Sequence, residues 1–219
     1  MKKKALKKDF YMEVYRTLNR FLSIFLIVAL GTAFFSGLRA TEPDMRLSAD
    51  RFYDNSNMRD IQVIGGLGLT QEDVQALEEM EGIRQVSPAY SYDVFWQLEE
   101  SRAAVKLMSL QEDMNRITVT EGRLPEQSGE CLMDEAMAQE YGIAVGDTVN
   151  LLSGDDTALE DIVATDSLEV VGFGTTSLYL SLERGTTSIG TGSLQGFLIL
   201  LPEDFTLESY TEIDLTEDG

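Results

Sequence analysis

The sequence predicts an α+β protein: an N-terminal transmembrane helix with a stalk, followed by a two-lobed mixed α/β extracytoplasmic domain. Three observations predict it. The 18-residue run from Phe21 to Leu38 contains no charged side chain. The charge before that run is opposite in sign to the charge after it. Beyond it, short stretches of period-2 apolar alternation are interleaved with brief helical patterns and Gly-, Asp- or Ser-bearing turns.

At 1.5 Å per residue a helix of this run is about 27 Å long, close to the hydrocarbon thickness of a bilayer. A cleaved leader has an apolar core of only about 7–15 residues behind a short basic head. Here the head is 20 residues long, and a cut after Ala40 would place the bulky Leu38 at the third position before it. No cysteine follows the run to accept a lipid, so the run is expected to stay as an uncleaved anchor. A soluble core helix of this length would carry a polar face, which is missing. The residues assigned to the bilayer are Phe21, Leu22, Ile24, Phe25, Leu26, Ile27, Val28, Leu30, Phe34, Phe35 and Leu38.

Residues 1–20 hold seven basic and two acidic side chains, so +5; the rest of the chain carries 10 basic and 36 acidic, so −26. Basic flanks stay on the cytoplasmic side, which places the N-terminus inside and residues from about 40 onward outside the plasma membrane, in a single pass. Within the head, Phe10, Val14, Leu18 and Phe21 recur at helical spacing. Two readings stand: an amphipathic helix on the inner leaflet, or a plain extension of the spanning helix. The acidic outer part has no basic face with which to displace counterions, so no nucleic acid is expected as a partner.

Outside the membrane, Pro43 after Glu42 is expected to break the helix and restart it as a stalk, with Met45, Ala49 and Phe52 on one face. The boundaries read as 1–20 cytoplasmic basic segment, 21–38 transmembrane helix, 39–58 stalk and 59–219 outer domain. The outer domain divides into an α/β lobe (59–115) and a β-rich lobe with a return segment (116–219). In the first lobe Asp60–Ile64 reads as a strand ending in glycines, and Thr70 with Asp73 starts a helix in the manner of a capping box. Val74, Leu77 and Met80 mark that helix's buried face, and Gly82 its C-terminal cap. Tyr90, Tyr92, Val94 and Trp96 alternate on one strand face, and "AVKLMSL" is a further strand. In the second lobe "ECLM" is a strand, Asp134 caps a helix that stops at Gly142, and "GDTVNLL", "DSLEVVGFG" and Phe197–Leu201 are strands.

Sites for chemistry are scarce. The chain has no histidine and one cysteine, Cys131, so the commonest general base and the Cys/His zinc clusters are missing. Cys131, in an apolar strand, reads as a small core residue. "GTGSLQG" precedes a strand, whereas a phosphate loop opens a helix, so it reads as a flexible loop. "GDDTALED" lacks the ligand spacing of a calcium loop and reads as a solvated acidic hairpin. No catalytic, cofactor-binding or metal-binding residue is assigned, and the chain is not expected to be an enzyme.

Recognition carries the reading further. "RFLSIFLIVALGTAFFSGLRATEPDMRLSADRFYD" resembles the first membrane helix of FtsX/MacB-type ABC transporter permeases. "GLTQEDVQALEEMEGI", "EGRLPEQSGECLMDE", "YGIAVGDTVNLLSG" and "LYLSLERGTTSIGTGSLQGF" resemble, in order, blocks of the MacB-like extracytoplasmic core domain. The resemblance implies the N-terminal portion of a permease subunit, with ATP bound by a partner, a cytoplasmic ABC ATPase. It also implies a second permease half or subunit, further membrane helices beyond residue 219, and an extracytoplasmic peptide, lipid or protein partner. Efflux, lipid or lipoprotein handling, and cell-wall regulation are the roles the family suggests. Ser177 stands where many relatives carry proline. The rival reading is a stand-alone membrane-anchored binding or sensor domain.

Overall fold

The computed structural model describes residues 2–99, 101–179, 181 and 183–217. They fall into two units, Met1–Arg51 and Phe52–Gly219. The first is helical. α1 (Lys2–Arg16) leads into α2 (Leu18–Ser56), with Thr17 N–H donating to the Glu13 carbonyl and Phe21 N–H to the Thr17 carbonyl. Helical turns therefore run through the junction. The apolar residues assigned to the bilayer, from Phe21 to Leu38, are all exposed on α2. Phe10 and Leu18 of the head are exposed as well, while the Val14 side chain lies outside the described residues.

The expected break at Pro43 does not occur: α2 passes through it. Proline removes one backbone donor, but the helix on either side supplies enough hydrogen bonds to carry the chain across. An Arg46–Glu42 ion pair of 3.0 Å one turn apart spans the site.

The second unit contains two sheets. In the small one, β1 (Ile61–Leu69), β10 (Tyr210–Glu217) and β2 (Ile83–Ala89) lie in the order β1–β10–β2, all antiparallel. α3 (Gln71–Glu78) connects β1 to β2 and begins with the expected box, Thr70 and Asp73 bonding each other's backbones. Val74 packs with Ile213 and Leu215 of β10 and with Val63 of β1. Three details differ from expectation. β1 continues through its glycines, Met80 is exposed, and the helix is capped at Glu79, three residues before Gly82. The helix is a turn shorter than its apolar pattern, so Met80 falls outside it.

The larger sheet runs β5 (Thr118–Gly122), β8 (Ser167–Thr175), β6 (Glu130–Asp134), β9 (Gly196–Leu200), β4 (Arg102–Ser109), β3 (Ser91–Gln97), β7 (Thr148–Leu152). β7 also pairs with β8 at Ser167–Glu169, so six of these strands close into a barrel, with β5 added along the other half of the same β8 edge. Where β5 crosses β8, Gly122 faces Gly172; a Cβ on either would lie within 2.4 Å of a backbone oxygen. The core is built from alternate residues of the ring: Val94, Trp96, Val105, Leu107, Cys131, Met133, Val170 and Leu198. α4 (Glu135–Tyr141), capped by Asp134 and ended by Gly142 in the left-handed region as expected, adds Met137 and Ala138.

Sheet membership does not follow the expected division at residue 115. β3 and β4 belong to the barrel, and β10 returns to the first strands. Pairing is decided by which edges meet in space, and β1 and β2 leave a slot that only a late strand fills. The "GTGSLQG" loop is also not free: Ile189 and Leu194 are buried, and Gln195 N–H donates to the Ala104 carbonyl at 2.8 Å.

Leu107→Ala and Leu198→Ala, both fully buried, are each expected to cost about 2–5 kcal/mol of unfolding free energy. Leu26→Ala, exposed on α2, should leave the same transition within about 0.5 kcal/mol. Urea unfolding in detergent, followed by the single tryptophan, Trp96, checks the contrast.

Candidate functional site

The last turn of α2 ends in a knot of polar side chains. The Ser56 carbonyl accepts from Arg116 N–H at 2.8 Å, and the Asn57 carbonyl from Asn115 N–H at 3.0 Å. Both asparagines adopt positive φ, 44° and 49°, a region where a short polar side chain is tolerated. Asn57 Nδ2 donates to the Asp113 carbonyl and to Gln85 Oε1, and Arg84 Nη2 donates to Asn57 Oδ1.

The centre of the knot is Asp214 on β10, 1% exposed. It accepts from Arg59 Nη1 at 2.9 Å, Asn115 Nδ2 at 2.8 Å and Gln111 Nε2 at 3.1 Å. Arg59 N–H in turn donates to Asn115 Oδ1. A buried carboxylate is tolerable only when its lone pairs are filled in this way. Two residues away, Glu212 shares Arg59 at 3.9 Å and accepts from Gln62 Nε2 and from Ser91 Oγ. One arginine thus faces two buried acids. Burial pushes the Glu212 carboxyl up from its ordinary range, and the neighbouring Asp214 adds to the rise against the pull of Arg59. Burial likewise raises Asp214, opposed first by Arg59.

Two open clefts flank this knot. One, of about 690 Å³, is lined by Tyr53, Asn57, Arg59, Arg84 and Glu217. The other, of about 490 Å³ and lying between the two sheets, is lined by Arg59, Lys106, Tyr92, Tyr179 and Glu212. Lys106 is paired with Asp93 at 2.7 Å, and burial pushes the Tyr179 hydroxyl up to about 12. Arg59 and Lys106 are each paired with acids, and Arg84 donates to Asn57 and Thr216, which suits holding parts of the chain together. No group of three or more Cys, Asp or Glu able to hold a metal is found among the described residues.

Cys131 is fully buried in the barrel, and burial raises its thiol pKa, as suits a core residue. Tyr92, Val94 and Trp96 face the same core. Sequence reasoning missed Arg59, Asn115, Glu212 and Asp214. The signal for β10 was present in "YTEIDLTE", which alternates polar and apolar, but such alternation ordinarily marks a solvated face and here the polar face is buried. It also missed the Arg184 guanidinium, which grips Asp134 by two bonds of 2.5 and 3.0 Å and ties the loop before β9 to the start of α4. Leu180 and Leu182 of the "LYLSLERG" block lie outside the described residues.

The family model for the MacB-like periplasmic core domain matches residues 21–217. No curated protein matches the sequence. Among solved structures, the extracellular domain of the noncanonic ABC-type transporter YknZ from Gram-positive bacteria is 12% identical, with a TM-score of 0.44 over 71% of this chain and 76% of that one. The periplasmic region of MacB from Actinobacillus actinomycetemcomitans is 15% identical, with a TM-score of 0.43 over 72% and 67%. A domain of a protein designated a permease from Porphyromonas gingivalis is 16% identical, with a TM-score of 0.41 over 72% and 70%.

Two carboxylates should respond to pH in opposite directions. The folded pKa of Glu212 is raised, so its contribution to stability is full below the unfolded value and is lost as pH rises through the folded one. Glu212→Gln is therefore expected to raise the urea midpoint at pH 7 and leave it unchanged at pH 4. Glu130, gripped by the Arg123 guanidinium and by backbone N–H groups of Glu126 and Gln127, sits at about 2. Its contribution is present above the ordinary value near 4.5 and is lost as pH falls toward 2. Glu130→Gln should cost about 1 kcal/mol at pH 7, the partly exposed pair being discounted for screening, and distinctly less at pH 2, where the folded carboxylate is itself titrating.

Proposed function

The chain belongs to the MacB-like periplasmic core domain family of ABC transporter permeases, and from that premise we propose that it is the N-terminal portion of a permease subunit. In this reading Phe21–Leu38 crosses the plasma membrane with the basic head in the cytoplasm, and residues 59–219 work outside. A partner ATPase binds and hydrolyses ATP, a second permease half or subunit completes the path, and this chain passes the resulting movement to the outer domain.

One observation carries the reading. α2 holds the whole apolar run and, without a break, the turn Phe52–Ser56. That turn leads directly into Asn57 and Arg59, which are fastened to Asn115 and Asp214. A helix whose end is tied to a buried ion pair can transmit a displacement, because packed and ion-paired junctions shift as units and do not deform continuously. The pathway is a proposal of mechanics: the element that both ends would bias is the knot around Asp214. The outer domain, with its clefts beside Arg59, is then the part that meets an extracytoplasmic peptide, lipid or protein.

The basic head supports the orientation through the attraction of Lys and Arg to the cytoplasmic face. Labelling tests it, because the native Cys131 is buried and should stay silent toward a membrane-impermeant maleimide. Glu126→Cys is expected to react in intact cells and Thr17→Cys only after lysis; the reverse pattern would overturn the orientation.

The transport reading is tested by purifying the tagged chain from its native membranes in mild detergent. An ABC-type ATPase is expected to come with it in near-stoichiometric amount. Recovery of the chain without any ATPase would sink the reading and leave an anchored binding domain.

A further inference from the structure

The outer face of the barrel carries a cleft of about 440 Å³, lined by Phe95, Arg102, Tyr141, Gly190, Thr191 and Gln195 with two alanines of β4. Phe95 of β3 lies opposite Ala104 of β4 in register, and Ile189 packs with both. Arg102 stands two residues before Ala104 on the same strand face, its guanidinium carbon 4.1 Å from the centre of the Phe95 ring. Gly190, at φ +60°, brings the loop so near that a Cβ there would stand 2.9 Å from that ring. The bond from Gln195 N–H to the Ala104 carbonyl pins the other end of the loop. The walls of the cleft are therefore formed before anything enters it.

Two features separate this cleft from those beside Arg59. The first is charge. Residues 21–219 hold 36 acidic and 10 basic side chains, yet no carboxylate lines this cleft. Both clefts beside Arg59, and another lined by Phe52 and Arg184, include at least one. The second is hydrogen bonding. Among the described residues, no hydrogen bond or ion pair joins the side chains of Arg102, Tyr141, Thr191 or Gln195 to another protein group. Arg59 and Lys106, by contrast, are taken up by Asp214 and Asp93. The Phe95 ring attracts the Arg102 cation without using any of its N–H groups. A guanidinium so placed is a ready receptor for an anion.

We propose that this cleft binds the C-terminal end of a short peptide, with the carboxylate on Arg102 and the last amide between Thr191 and Gln195. A carboxylate matches the planar fork of a guanidinium through two parallel bonds. One cation balances one negative charge, whereas a phosphate dianion calls for more. The Thr191 hydroxyl and the Gln195 amide can each donate and accept, as a peptide group requires. Phe95, Tyr141 and the two alanines leave an apolar wall for a small last side chain. The proposal deepens the reading of residues 59–219 as the part that meets an extracytoplasmic ligand, and rests on that reading for the side of the membrane. The site itself lies wholly on the barrel and needs no ATPase.

The test is saturation-transfer NMR on the full chain in detergent micelles, with N-acetylated dialanine as the probe and protein-free micelles as the blank. Saturable binding is expected, with a dissociation constant of about 1 mM or tighter. Arg102→Gln should weaken it about tenfold, and Arg102→Lys severalfold, because an ammonium cannot form the paired bonds. Converting the probe's carboxylate to an amide should weaken binding as much as Arg102→Gln does. Arg46→Gln, which removes an exposed cation from α2, should change nothing. Unchanged urea midpoints, read from Trp96, verify that the variants fold. Absence of saturation up to about 10 mM, equal binding of the amide, or displacement of the probe by inorganic phosphate at equal concentration overturns the proposal. An equal loss in Arg46→Gln also overturns it, and marks a general attraction to charge. Co-purification of an ATPase is untouched by any of these results, so the two readings fail separately.

Discussion

The carboxylate of Asp214 is the point on which the outer unit's organisation turns. It comes from near the C-terminal end of the described chain and is filled by donors from Arg59, Gln111 and Asn115. Left unpaired at 1% exposure, a carboxylate costs several kcal/mol; fully hydrogen-bonded, it fixes register more than it adds stability. Three stretches of chain separated by up to 155 residues are thereby held in one arrangement. The turn that ends α2 belongs to that arrangement, because the Asn57 and Ser56 carbonyls are occupied by the backbone of residues 115 and 116.

The barrel supplies the rigidity against which this knot works. β8 has both edges in use, one along β6 and the other shared by β7 and β5. Closure leaves no free edge in the ring and packs its interior with side chains that are fully buried, such as Val105, Leu107 and Leu198. A body of this kind moves as a whole. The small sheet is different: it has three strands and one short helix, and its apolar face is partly bare. Within the outer unit, change is therefore easier at the small sheet and at its junction than in the barrel.

Electrostatics divide the molecule along its sequence. A head of +5 precedes an uncharged run, and a body of −26 follows it. Most of the acids are solvated, and their mutual repulsion keeps the body soluble. Among the described residues the exceptions are Asp134, Asp204, Glu212 and Asp214, which are buried. Asp134 and Asp214 each have an arginine partner, Arg184 and Arg59, so few of the body's cations hold much of its buried charge.

The sequence by itself determined the elements whose causes are local. The uncharged run Phe21–Leu38 lies within one helix and holds no proline to interrupt it; Thr70, Asp134 and Gly142 stand where cap chemistry requires them, and both shorter helices begin or end there. The alternation of Tyr92, Val94 and Trp96 marked a buried strand face correctly. Tertiary structure decided whatever depends on partners far away in sequence. Pro43 was overridden by the helix around it, "GTGSLQG" was pinned through Ile189 and Leu194, and β3 and β4 were drawn into the barrel by β7 and β9. Most of all, "YTEIDLTE" has the pattern of a half-solvated strand. Only its place between β1 and β2, with Arg59 and Asn115 on its polar side, turns Glu212 and Asp214 inward. Alternation tells which residues share a face, but what that face meets is set by the folded chain.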